Sequence, residues 1–186
     1  MLNNADPFAK AEIIQSLQAI NRMVADYFAG LSPAAFFTHP PEVWSPAENL
    51  QHLIQSVNPL IRVMQFPQEK LTSRFGLSSR QSRGYNDIRD TYQVELAKGA
   101  VAGGTFVPVV GGLPSQPQIA QAEIVQHWAQ TSQQLVEVVN GWNESDLDIY
   151  QIPHPLLNLL TVREILLFTL YHNRHHLEDA RRLVLS

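Results

Sequence analysis

The sequence predicts an all-α protein, a bundle of four long helices. Apolar residues recur at helical spacing in four stretches, near residues 7 to 31, 46 to 66, 117 to 142 and 161 to 184. Two of these stretches open on a capping box, Ser45-Pro46-Ala47-Glu48 and Thr161-Val162-Arg163-Glu164. Each stripe is apolar on one side alone, so each helix needs the others to bury it. At 186 residues the chain is expected to form one domain, 1–186, able to bury about 70% of its unfolded surface with no metal or disulfide. A metal in such a domain is expected to be functional rather than structural.

The elements follow in order. Asp6 and Pro7 read as an N-cap with proline at the first helical position, followed by a stripe at Ile13, Leu17, Ile20, Val24, Tyr27 and Leu31. Ser32 and Pro33 end that helix, and the run from Ala34 to Val43, with Pro40 and Pro41, reads as irregular. The second helix carries Leu50, Leu53, Val57, Leu60, Ile61 and Met64, and Pro59 is expected to kink or stop it. Residues 68 to 83 show no clear period, and a shorter helical pattern returns at Ile88, Tyr92 and Leu96. Gly99 to Gln118 holds five glycines and three prolines and cannot be a regular helix. This loop is apolar: Phe106, Val107, Val109 and Val110 are candidates to cover a pocket or an oligomer contact, with a short strand pair as the alternative. The third long helix starts near Pro117 and places Trp128 and Trp142 as core anchors. A bridging loop then leads to the last helix.

Composition narrows the function. The formal net charge is −4 and the charged fraction 16%; with no basic stripe to neutralise phosphates, nucleic acid is not expected as a partner. There is no cysteine, hence no protein thiolate and no Cys-type zinc site. No long apolar run or signal-like start appears, so no membrane association and a cytoplasmic location are expected.

The chemistry is concentrated in the last helix. His172 and His176 are four residues apart and in line with Ile165, Ala180 and Leu183, so both rings face the core, one turn apart. Two buried neutral imidazoles need partners, and a divalent metal supplies them; hydrogen bonds with Asp179 and Glu178 nearby are the alternative. His175 competes for the second place but lines up with Asp179 and Arg182 on the polar flank. His52 lies off the stripe of its own helix, so a core role explains it poorly; spacing alone leaves it as a solvated surface residue or a ligand. His39 and His127 read as loop and surface residues. No catalytic acid or base stands out: Glu48 is committed to its cap, while His154 and His175 serve equally well as loop and surface residues.

The run from His154 to Leu183, HPLLNLLTVREILLFTLYHNRHHLEDARRL, together with Trp44 to Leu53, WSPAENLQHL, resembles the DinB-like superfamily in its DinB_2 branch. That family pairs a W-[ST]-x-x-E-x-[LIV]-x-H-L motif on the second helix with H-x-x-H-H on the last. The resemblance implies metal ligands at His52, His172 and His176, with His175 the intervening histidine that does not ligate. Asn158 departs from the glycine often found after the HPL element, and Pro59 from an uninterrupted second helix.

The resemblance further implies a four-helix bundle with long crossover connections, a divalent ion with open positions, and homodimers. Zinc is the default for imidazole ligands, with nickel, iron or manganese as alternatives. Relatives include transferases and isomerases that use a low-molecular-weight thiol. The expected function is a metal-dependent enzyme of the thiol S-transferase kind, acting on a small-molecule substrate. The alternatives are a metal-dependent hydrolase and a metal- or ligand-binding bundle with no turnover.

Overall fold

The structure is a computed structural model that describes residues 6–109 and 112–185; Val110, named above, lies outside them. Four long helices dominate: α1 (Lys10–Gly30), α3 (Pro46–Met64), α6 (Pro117–Asn140) and α8 (Val162–Leu185). The shorter α2 (Pro33–Phe37), α4 (Gln68–Phe75), α5 (Tyr85–Ala97) and α7 (Asp146–Ile149) lie between them, with a two-stranded sheet of β1 (Gln151–His154) and β2 (Asn158–Thr161). α1 and α3 each pack against both α6 and α8, so α1 faces α3 across the diagonal of the bundle. The all-α bundle predicted from the four stripes is therefore present. No helix among the described residues is long and apolar enough to cross a membrane.

The stripes become the core. Ile13, Leu17, Val24, Leu50, Leu53, Leu135 and Leu166 are fully buried, as is Trp128, whose indole N–H donates to the Asn21 carbonyl. Trp142 is half-buried and donates to the Met64 carbonyl. Both capping boxes form reciprocally. Ser45 N donates to Glu48 Oε2 at 2.7 Å and Glu48 N to Ser45 Oγ at 3.1 Å; Thr161 N donates to Glu164 Oε2 at 3.1 Å and Glu164 N to Thr161 Oγ1 at 3.2 Å.

Several local expectations are corrected. α1 begins at Lys10 and not at Pro7, because Glu12 reaches back to accept from the amides of Phe8 and Ala9 and so supplies the cap itself. Ser32 opens α2, with Phe36 and Phe37 buried, where an irregular run was expected: Pro33 sits at its first turn, where proline suits a helix. Pro59 does not stop α3, which runs on to Met64. Residues 68 to 75, without a clear period, form α4.

The loop from Gly99 has no strand among its described residues but contains a 3-10 turn, Gly104–Phe106. The bridging loop after α6 holds α7 and an antiparallel hairpin in which Ile152 pairs with Leu160, both buried. Its turn requires a left-handed residue, and Asn158 supplies it at φ 60. Asparagine suits that position, since it is among the few residues besides glycine that visit this region readily.

Glu164, at the start of α8, is fully buried and receives Arg80 and Arg83. Arg80 Nη2 donates to Oε2 at 2.7 Å, and Arg83 Nε to Oε1 at 2.9 Å. Burial alone would raise its carboxyl, but the hydrogen bonds from Arg80 and Arg83 prevail and hold it at about 2.

A candidate metal centre at the floor of an apolar cavity

α3 and α8 cross where His52, His172 and His176 meet. His52 Nε2 is 3.1 Å from His172 Nε2, and His176 Nε2 is 3.2 Å from the same atom. The rings are 5%, 4% and 7% exposed, so all three are removed from water. The solvated alternative for His52 fails, because Trp44, His172 and His176 pack around its ring and the Phe106 carbonyl meets its outer nitrogen. Burial, the largest cause, lowers the pKa of all three and keeps the rings neutral.

The outer nitrogens of two rings are tied down. His52 Nδ1–H donates to the Phe106 carbonyl at 2.7 Å, and a carbonyl can only accept. His176 Nδ1–H donates to Asn49 Oδ1 at 2.8 Å. The amide of Asn49 is itself oriented, because its Nδ2 donates to the carbonyls of Trp44 at 3.1 Å and Ser45 at 3.0 Å. The Nε2 of both rings is thereby a lone pair aimed at His172. Trp44 closes one side, stacked on His176 at 5.9 Å, and Phe168 the other, stacked on His172 at 5.1 Å.

The donor set fits a divalent metal. The three ligand atoms lie within 4.8 Å of one another. Nitrogens held about 2.0 to 2.1 Å from one ion sit about 2.9 Å apart at a right angle and about 3.4 Å apart in a tetrahedron. The observed 3.1 and 3.2 Å fall between these limits. Neutral imidazoles with outer N–H groups bound to oxygen acceptors are the pattern of metal-ligating histidines.

The other histidines do not join the trio, although His154 and His175 line the same cavity. His175 Nε2 is 3.3 Å from Asp179 Oδ2, on the flank the sequence assigned to it. His39 and His127 are exposed. His154 sits at the end of β1 in the cavity wall. Sequence reasoning missed Asn49 and Phe106 as supports of the site. Asn49 follows Glu48 directly, three residues before His52 and so on the same side of the helix, but it falls on a position the motif leaves unspecified. Phe106 acts through its main chain, for which no side-chain signal exists.

The trio forms part of the lining of a cavity of about 740 Å³. Its walls are mostly apolar, with Val57, Leu60, Val63, Leu96, Ile165 and Phe168 prominent beside the polar Ser56, Tyr92 and Thr169, and no Lys, Arg, Asp or Glu lines it among the described residues. Both the size and the apolar lining suit a small organic ligand.

The family model described as DinB superfamily matches residues 16–180. No curated protein matches significantly. The crystal structure of the colibactin self-resistance protein ClbS in complex with a dsDNA is similar in fold, at TM-score 0.58 and 14% identity, over 95% of this chain and 96% of that chain. This neighbour corrects the expectation that excluded nucleic acid. A net charge of −4 does not exclude it, because phosphate contacts depend on where a few cations sit on the folded surface, which composition does not reveal.

Proposed function

This chain belongs to the DinB superfamily, and from that premise we propose that it is a divalent-metal-dependent enzyme of the low-molecular-weight-thiol S-transferase kind. His52, His172 and His176 are its metal ligands. Zinc is the first choice for three imidazoles, and nickel, iron or manganese are compatible. The observation that carries the reading is the convergence of three buried Nε2 atoms, two of them with lone pairs fixed inward by Phe106 and Asn49. Such an ion would lower the pKa of a thiol brought to it. The chain's own residues do the rest: Asn49 and Phe106 hold the rings, Trp44 and Phe168 shield them from water, and the apolar cavity receives the second substrate. The absence of cysteine accords with a nucleophile that arrives with the cosubstrate. We place the reaction in the cytoplasm, where small thiols are kept reduced.

The test is a panel of thiols against a generic aromatic electrophile, with metal-loaded wild type beside His172→Ala. The expected result is thiol-dependent consumption of the electrophile by the loaded wild type alone. Metal-dependent ester hydrolysis without thiol would favour a hydrolase instead, and tight ligand binding without turnover a binding bundle. Because the similar fold of ClbS was solved with duplex DNA, a short duplex belongs in the binding arm of that assay.

A further inference from the structure

His154 is held in one tautomer. Its Nδ1 accepts from the main-chain amides of Leu156 at 3.2 Å and Leu157 at 3.1 Å, which close the hairpin turn. An atom that accepts two N–H groups carries no proton, so the proton of the neutral ring is on Nε2. No acceptor for that N–H is present among the described residues. The ring packs edge-on against Phe168 at 4.2 Å, and Phe168 in turn stacks on His172. His154 is thus a donor with no acceptor of its own in a mostly apolar wall that also carries Ser56, Tyr92 and Thr169, one ring away from the three histidines.

We propose that the cavity takes an uncharged, largely apolar small molecule carrying one hydrogen-bond acceptor, a carbonyl or similar oxygen, to which His154 Nε2–H donates. This deepens the proposed function, since it rests on the cavity being the substrate chamber of the three-histidine site. Two features disfavour a charged group away from the three histidines. Apart from the ion those histidines would hold, the described lining offers no ionic partner, so a charge against the apolar wall would be desolvated without compensation. The donor is itself neutral, because burial lowers the pKa of His154 to about 4. An unmade hydrogen bond in such a wall is costly, so a ligand lacking the acceptor is discriminated against.

The experiment titrates full-length protein, as purified and after chelation, with three isosteric probes by calorimetry. The probes are 2-acetylnaphthalene, the hydrocarbon 2-isopropylnaphthalene, and anionic 2-naphthoate. His154→Phe removes the donor; His154→Asn keeps an oxygen where Nδ1 accepts the turn amides, which guards against a misfolded hairpin, and withdraws the donor from the reach of Nε2, since its amide is shorter than the ring. Both variants are expected to lose roughly 5- to 30-fold in affinity for the ketone and less than about 2-fold for the hydrocarbon. The carboxylate should bind the chelated wild type at least about tenfold more weakly than the ketone. Equal losses for ketone and hydrocarbon, a carboxylate that binds the chelated protein as well as the ketone does, or no binding of any probe would each overturn the proposal. Metal content is measured on the same samples. A metal-free protein with the expected ratios sinks the metal reading alone, and failed ratios on a metal-loaded protein sink this inference alone.

Discussion

His52 donates its Nδ1–H to the main-chain carbonyl of Phe106, 2.7 Å away and 54 positions further along the chain. A ring on a rigid helix is thereby oriented by a glycine-rich loop. The turn that carries Phe106 depends on Gly104, which sits at φ +59 with no atom near a prospective Cβ. Gly104→Ala would therefore meet no clash but would strain the left-handed backbone by roughly 1 to 2 kcal/mol. Displacing the carbonyl should weaken metal binding about tenfold, measured by competition with a chromophoric chelator, with the helical circular dichroism unchanged. Unaltered affinity would mean that the loop does not orient His52.

Asn49→Leu removes the acceptor of the His176 Nδ1–H and two donations to main-chain carbonyls. Metal affinity should fall about 10- to 100-fold, and the chelated protein should lose roughly 1 to 3 kcal/mol by urea denaturation. A stability loss with unchanged metal affinity would leave Asn49 a cap alone.

Replacing His52, His172 or His176 by Ala should each sharply reduce the metal recovered with protein purified without added metal or affinity resin. His175→Ala, His127→Ala and His39→Ala should retain it, since these rings stand apart from the three converging nitrogens. Full occupancy in His52→Ala would remove that residue from the ligand set.

Chelation should leave the bundle folded. Its core is formed by the four stripes, so the apoprotein should stay helical and lose only the stabilisation that binding contributes by mass action. Unfolding on chelation would make the site structural and end the enzyme reading.

Acid should act through Glu164. Its folded pKa, about 2, lies below the ordinary 4.5, so in this range the unfolded chain binds the proton more readily. The stabilisation is complete above pH about 4.5 and lost as the pH falls from there through about 2. Glu164→Gln should flatten the stability profile in that window and cost about 3 kcal/mol at neutral pH, because Arg80 and Arg83 lose their carboxylate. An unchanged profile between pH 4.5 and 2 would show that another carboxyl governs acid unfolding.

What the sequence determined by itself was local and periodic. Apolar spacing marked the four long helices, because a stripe needs only 3.6 residues per turn to be visible. The capping boxes at Ser45 and Thr161 were legible because their partners lie three residues apart. The pair His172 and His176 was legible for the same reason, being one turn apart on a single helix. His52 was different: its own helix argued that it faced water, and only the family motif set it beside the other two. The tertiary structure decided what covers that face, because burial off the stripe depends on the last helix and a loop some fifty residues away. It also decided the tautomers. Phe106, Asn49 and the turn amides of Leu156 and Leu157 select which nitrogen of His52, His176 and His154 carries the proton, and the three main-chain partners leave no trace in side-chain identity. A hydrogen bond to the backbone needs a position in space rather than a residue type, and position is what folding supplies.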